Sequence, residues 1–61
     1  MIVHPKIGQA VQCWYRDRTM LLHGKIGIVR IVSRGPGPRN HGVQINGVVY
    51  SVPCGNLRSF F

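Results

Sequence analysis

The dipeptide Asn46-Gly47 constrains the fold of this chain most strongly, because it stands between two runs in which apolar residues alternate. Both residue types tolerate the positive φ angles that a two-residue type I′ turn needs, so the sequence predicts a β-hairpin at this point. A two-residue turn pairs Ile45 with Val48 and Val43 with Tyr50. Side chains of these paired residues then point to one face of the hairpin, and we expect that face to cover the core.

The same alternation predicts which residues are buried throughout the chain. In the hairpin, Gln44, Val49 and Ser51 fall on the face opposite the core. The predicted core consists of Val11, Cys13, Ile26 or Val29, Ile31, Val43, Ile45, Tyr50, Val52 and Leu57.

The rest of the chain also has the pattern of strands, since glycines and prolines separate its apolar runs and none of them has a helical period of useful length. A first strand is predicted over residues 10–16 and a second over residues 25–33. The second run is almost continuously apolar, which predicts a central strand that is either covered on both faces or bent sharply through a closed barrel. Within it, Gly27 predicts a bulge or a close approach of another backbone. Prolines and glycines prevent residues 34–40 from continuing a ladder, so we expect an all-β fold with a mobile, basic loop there.

The two ends of the chain complete the predicted organisation. Residues 53–57 indicate a tight turn, and residues 58–61 a last short strand. Residues 1–7 are predicted to form a loose tail. A chain of 61 residues has room for a single domain, which we expect to span residues 1–61 and to bury about 60% of its unfolded surface.

Residues 23–31 resemble the KOW motif, in which a glycine, a second glycine three residues later and alternating apolar residues follow one another. Gly24, Gly27, Val29 and Ile31 fit that pattern. The resemblance implies a small SH3-like barrel of about five strands, with a 3₁₀ turn before the last one. KOW domains often contact RNA, so it also implies a preference for RNA over DNA.

Charge is strongly one-sided in this protein. Eight Lys and Arg residues oppose one acidic residue, Asp17, giving a formal net charge of +7. Such a surplus attracts polyanions. Six of the eight cations are arginines, whose planar guanidinium groups bind phosphates bidentately and stack on bases. The residues predicted to bind nucleic acid are Trp14, Arg16, Arg18, Lys25, Arg30, Arg34, Arg39 and Arg58.

Trp14 has two interpretations of equal weight. By the alternation of the first strand it points away from the core beside Arg16, where it can stack on a base. A lone tryptophan in so small a domain also serves to cover the core.

The sequence predicts neither a metal site nor a cofactor, and favours a binding protein over an enzyme. His4, His23 and His41 are scattered, and only Asp17 supplies a carboxylate, so a catalytic set of nucleophile, base and orienting group is hard to assemble. One triplet, residues 43–45, is similar to that of the plasmid-borne trimethoprim-resistant dihydrofolate reductases. These enzymes are SH3-like barrels that are active as tetramers around a central pore. The resemblance implies that Gln44 and Ile45 line such a pore. In the reductases a tyrosine follows the triplet, whereas this chain has Asn46 at that position.

Cys13 and Cys54 are 41 positions apart, which is not a metal-ligand or C-x-x-C spacing. Two free thiols are expected, with a single disulfide as the alternative. The sequence shows neither a secretory leader nor an apolar run of membrane length, so a cytoplasmic protein without membrane contact is predicted. The sequence does not decide whether Phe60 and Phe61 at the C-terminus close the barrel or bind a second chain to form a homo-oligomer.

Two classes of function follow from these features. The first is a small basic nucleic-acid-binding module, acting through phosphate contacts from arginine-rich loops. The second is a protein-binding adaptor or inhibitor, of the kind common among phage and plasmid products, whose basic surface docks on an acidic surface of a host protein. A fold prediction cannot choose between them.

Overall fold

Five antiparallel strands form one sheet in the computed structural model, which describes residues 1–37 and 39–60. The order of strands across the sheet is β4-β3-β2-β1-β5. A 3₁₀ turn at Cys54–Asn56 precedes the last strand, so the predicted all-β class and the position of that turn are confirmed. The strands are β1 (Ala10–Cys13), β2 (Ile26–Ile31), β3 (Asn40–Ile45), β4 (Val48–Pro53) and β5 (Leu57–Ser59).

The hairpin of β3 and β4 has the predicted turn and register. Ile45 pairs with Val48, and Val43 pairs with Tyr50. Asn46 has a φ of 51° and Gly47 a φ of 81°, as a type I′ turn requires. The turn therefore sets the register as predicted, although Val48, which the register places on the core face, is 51% exposed because β4 lies at the edge of the sheet.

The core lies on one face of the sheet and receives side chains from all five strands. Tyr50 is half-buried and packs against it, as does Ile2. A buried histidine, His41, lies beside it, with its side chain 0% exposed. The buried apolar residues are Val11, Cys13, Val29, Val43, Ile45, Val52 and Leu57.

The structure decides one part of the β2 prediction and corrects another. Of the two alternatives for the core, Val29 is 0% exposed and Ile26 is 46% exposed, so Val29 takes the core position. Ile31 is 59% exposed, so its predicted place in the core is wrong and the strand is not covered on both faces. The register of β2 against β3 shifts between Val29 and Ile31, which makes Arg30 the extra residue of a bulge. Because of that residue, Ile31 points outward although Val29, two positions earlier, points inward.

Gly27 marks a close approach between β2 and β3. The bulge of β2 lies elsewhere, between Val29 and Ile31. Gly27 pairs with Val11 of β1 and is buried. A Cβ atom at this position would lie 2.6 Å from the carbonyl oxygen of Gln44 and 2.7 Å from Cγ1 of Val43. Only glycine therefore lets β2 and β3 lie this close together over the core.

Residues 1–7 contact the sheet, although the sequence predicts a loose tail there. The N–H of Ile2 donates a hydrogen bond to the carbonyl oxygen of Cys54 at 3.1 Å, and Pro5 is buried. Just beyond, the N–H of Gly8 donates to the carbonyl oxygen of Val29 at 2.8 Å. These contacts attach Ile2, Pro5 and Gly8 to the body of the protein.

At the other end, the predicted strand over residues 58–61 is β5, which the structure ends at Ser59. Phe60 is 48% exposed, and Phe61 lies outside the described residues.

Candidate functional site

A basic cleft of about 410 Å³ lies between the N-terminal segment and the loop that joins β2 to β3. Two residues of the cleft attach its walls to the body of the protein: Pro5 is buried, and the half-buried Val32 packs against the core. Its lining consists of His4, Pro5, Lys6, Val32, Arg34 and Arg39.

Hydrogen bonds hold both ends of the loop that carries Arg34 and Arg39. At the first end, the N–H of Ser33 donates to Nδ1 of the buried His41 at 3.1 Å. At the second, the carbonyl oxygen of Arg39 accepts a hydrogen bond from the N–H of Cys54 at 2.8 Å. Arg39 and the residue that precedes Arg34 are therefore attached to the body of the protein.

No acidic side chain lines the basic cleft, and the one acidic residue of the chain is engaged elsewhere. The Asp17 carboxylate accepts hydrogen bonds from the hydroxyl of Thr19 at 2.6 Å and from its N–H at 3.0 Å. These two bonds lower the pKa of the Asp17 carboxyl. Lys6, Arg34 and Arg39 thus create a positive potential that no carboxylate in the cleft offsets.

Trp14 forms a second cluster at the end of β1. Its side chain is 41% exposed, so it lies at the surface. The guanidinium carbon of Arg58 is 4.5 Å from the centroid of the Trp14 ring, and the centroid of the His23 ring is 4.4 Å away at an interplanar angle of 51°. His23 is itself held, because its Nδ1 accepts a hydrogen bond from the N–H of Tyr15 at 3.0 Å.

The structure distributes the eight predicted binding residues over several places. Arg34 and Arg39 meet in the basic cleft, whereas Arg58 contacts Trp14. Arg30 lies on the outer face of the sheet, where its Nε donates to Oε1 of Gln44 at 2.6 Å. The exposed Arg16, Arg18 and Lys25 lie in the segment that joins β1 to β2.

Two residues of the cleft, His4 and Lys6, are absent from the predicted site. The sequence places both in a loose tail, and their contribution depends on the attachment of that tail to the sheet. The signal that could have revealed it is the apolar residues beside them, Ile2, Val3 and Pro5.

An apolar groove of about 300 Å³ runs over the outer face of the sheet, between β2 and β4. Gly42 forms its floor, since a Cβ there would lie 2.9 Å from Cβ of Ile31. Ile31 is 59% and Val49 48% exposed. The groove is lined by Ile31, Asn40, Gly42, Val49, Tyr50 and Ser51.

The two residues to which the reductase resemblance assigns a pore lie on opposite faces. Gln44 is on the outer face with Arg30, and Ile45 is 6% exposed in the core. Both cysteines are free, with Cys13 buried and Cys54 half-buried.

Within residues 1–37 and 39–60, no group of three or more His, Cys, Asp or Glu side chains is placed to hold a metal ion. No helix in the same part of the chain has the length and apolarity to cross a membrane. No protein-family model, curated protein or solved structure matches this chain.

Proposed function

We propose that this protein is a small nucleic-acid-binding module whose basic cleft contacts phosphates. The observation that carries the proposal is the convergence of Lys6, Arg34 and Arg39 from two separate segments on a cleft without an acidic side chain. Cations that meet in this way bind phosphate oxygens and release condensed counterions from the nucleic acid. Arg34 and Arg39 add bidentate hydrogen bonding to that electrostatic attraction.

The ligand we propose is RNA in preference to DNA. Support comes from the resemblance of residues 23–31 to the KOW motif, whose domains often contact RNA. The strand order β4-β3-β2-β1-β5 and the 3₁₀ turn at Cys54–Asn56 are consistent with an SH3-like barrel, and we propose that the sheet curls into this form. Trp14, exposed beside Arg58, supplies a surface for a single-stranded base.

Capture from a cell lysate, with and without nuclease, tests the proposal. Tagged protein is expected to retain RNA from the untreated lysate, and proteins that are captured with it should disappear after nuclease treatment. The variant Arg34→Ala/Arg39→Ala should retain less RNA than Arg16→Ala/Arg18→Ala, which removes the same charge outside the cleft. Absence of RNA, with one protein partner retained after nuclease, would contradict nucleic-acid binding.

The second candidate is a protein-binding adaptor, favoured by the apolar groove on the outer face. Ile31 and Val49 are exposed there, and Val49 is the cross-strand partner of Gln44, which holds Arg30. A partner segment with an apolar side chain and a nearby carboxylate complements this surface. In the lysate experiment, this candidate predicts a nuclease-resistant partner that Ile31→Asp releases and Arg34→Ala/Arg39→Ala does not.

A further inference from the structure

We propose that the basic cleft receives a terminal phosphate of a nucleic-acid strand, a phosphomonoester, together with the nucleotide that carries it. This inference rests on the proposed function and specifies the part of the nucleic acid that the cleft binds. It draws on the charge and the size of the cleft and on the hydrogen bonds that attach its walls to the body of the protein.

The charge of the cleft matches a phosphomonoester better than an internal phosphodiester. Lys6, Arg34 and Arg39 supply three positive charges to the cleft. An internal phosphodiester bears one negative charge, whereas a phosphomonoester bears about 1.5 to 2 at pH 7. Because the lining contains no carboxylate, the larger negative charge gains more from this potential.

The size of the cleft calls for more than a phosphate group. Its volume of about 410 Å³ lies in the range of roughly 300 to 1,000 Å³ that small-molecule sites occupy. Pro5 and Val32 provide apolar surface beside the cations, against which a sugar or a base can pack.

The backbone that presents the arginines is held before any ligand arrives. Ser33 is hydrogen-bonded to His41 at one end of the loop, and Arg39 is hydrogen-bonded to Cys54 at the other. On the opposite wall, Ile2 anchors the segment that carries Lys6. These attachments leave less backbone to be ordered when a phosphate binds, which reduces the entropy that binding loses.

Fluorescence anisotropy with short single-stranded RNAs of one sequence tests the inference. The strands carry a 5′-phosphate, a 3′-phosphate or hydroxyls at both ends, and bind the full chain at fixed pH and salt. We expect one phosphorylated strand to bind roughly tenfold more tightly than the unphosphorylated strand, a difference of about 1.4 kcal/mol. A nucleoside monophosphate should displace that strand at lower concentration than a phosphoserine peptide of equal charge.

Variants then assign the effect to the cleft. Arg34→Ala/Arg39→Ala should abolish the preference for the phosphorylated end. Arg16→Ala/Arg18→Ala removes the same charge outside the cleft, so it should lower the affinity for all three strands alike and keep the preference. Lys6→Gln, an exposed position on the other wall, should reduce the preference independently of the loop. Circular dichroism confirms that each variant is folded.

The outcomes separate this inference from the proposed function. If all three strands bind equally well, the terminal-phosphate assignment is wrong while nucleic-acid binding stands. If none binds at low salt, both are wrong. If the phosphoserine peptide displaces the strand at the same concentration as the nucleoside monophosphate, the cleft binds phosphorylated proteins as well as it binds nucleic-acid ends. That result would overturn the inference.

Discussion

The guanidinium carbon of Arg58 lies 4.5 Å from the centroid of the Trp14 ring. The pairing of β1 with β5 explains this contact, because Arg58 is the partner of Gln12, and Trp14 follows two residues later as a diagonal neighbour. A cation–π contact at an exposed site contributes about 0.5 to 1 kcal/mol. Arg58 therefore already supports the position of the Trp14 ring on which we propose that a base stacks.

Trp14→Ala is expected to weaken the binding of single-stranded RNA by roughly 1 to 3 kcal/mol, because a stacking surface is lost. The dependence of affinity on salt should change little, since stacking releases no counterions and Arg58 keeps its charge. Titrations at several salt concentrations measure both quantities. Trp14→Phe, which retains an aromatic ring, serves as the control. If the alanine variant binds RNA with unchanged affinity, Trp14 is not part of the RNA-binding surface.

Val43→Ala should lower the free energy of unfolding by roughly 1 to 3 kcal/mol, because it leaves a cavity in the core. Val43 is 0% exposed. The matched control is Val49→Ala on the other face of the same hairpin, where the side chain is 48% exposed and we expect a change within about 0.5 kcal/mol. Urea denaturation compares them, and equal losses would show that the hairpin register is wrong.

Gly47→Val should destabilise the protein by roughly 1 to 3 kcal/mol, because a β-branched residue is strained at positive φ. Gly47 has a φ of 81° and open space around it, so any loss reports on backbone strain rather than on a clash. Gly35 also has open space and no positive φ, which makes Gly35→Val the control. An unchanged melting temperature for the Gly47 variant would rule out the type I′ turn.

Alkylation by iodoacetamide should modify Cys54 before Cys13 in the folded protein. Burial raises the pKa of the Cys13 thiol, so its reactive thiolate is scarcer at any pH near neutrality. Cys54 is half-buried and free. Mass spectrometry after partial reaction, with urea-denatured protein as the control, locates the modification. Faster reaction at Cys13 would contradict the burial of β1.

The fold of the hairpin is predictable because its determinants are local. Asn46 and Gly47 impose the turn, and the turn imposes the register of Val43 against Tyr50. In β2 the alternation fails at Arg30, where the bulge turns Ile31 outward. Nothing in the apolar pattern of that strand marks which residue is extra, because Arg30 is flanked by apolar residues on both sides.

Two of the three cations that line the cleft are predictable in the same way. Arg34 and Arg39 stand in a loop whose glycines and prolines exclude a strand, so their exposure to a ligand follows from the sequence. His4 and Lys6 reach the cleft through the hydrogen bond between Ile2 and Cys54, which are more than fifty positions apart. A contact of that range leaves no periodic signal in the chain.

The salt dependence of RNA binding tests the central claim most directly. The logarithm of affinity should fall linearly with the logarithm of salt concentration, with a slope of about −0.7 for each phosphate contacted on a single strand. Arg34→Ala/Arg39→Ala should reduce the magnitude of that slope by about one to two, and Arg16→Ala/Arg18→Ala, with the same net charge, should reduce it less. Absence of binding at low salt, or a wild-type slope in the cleft variant, would contradict the account.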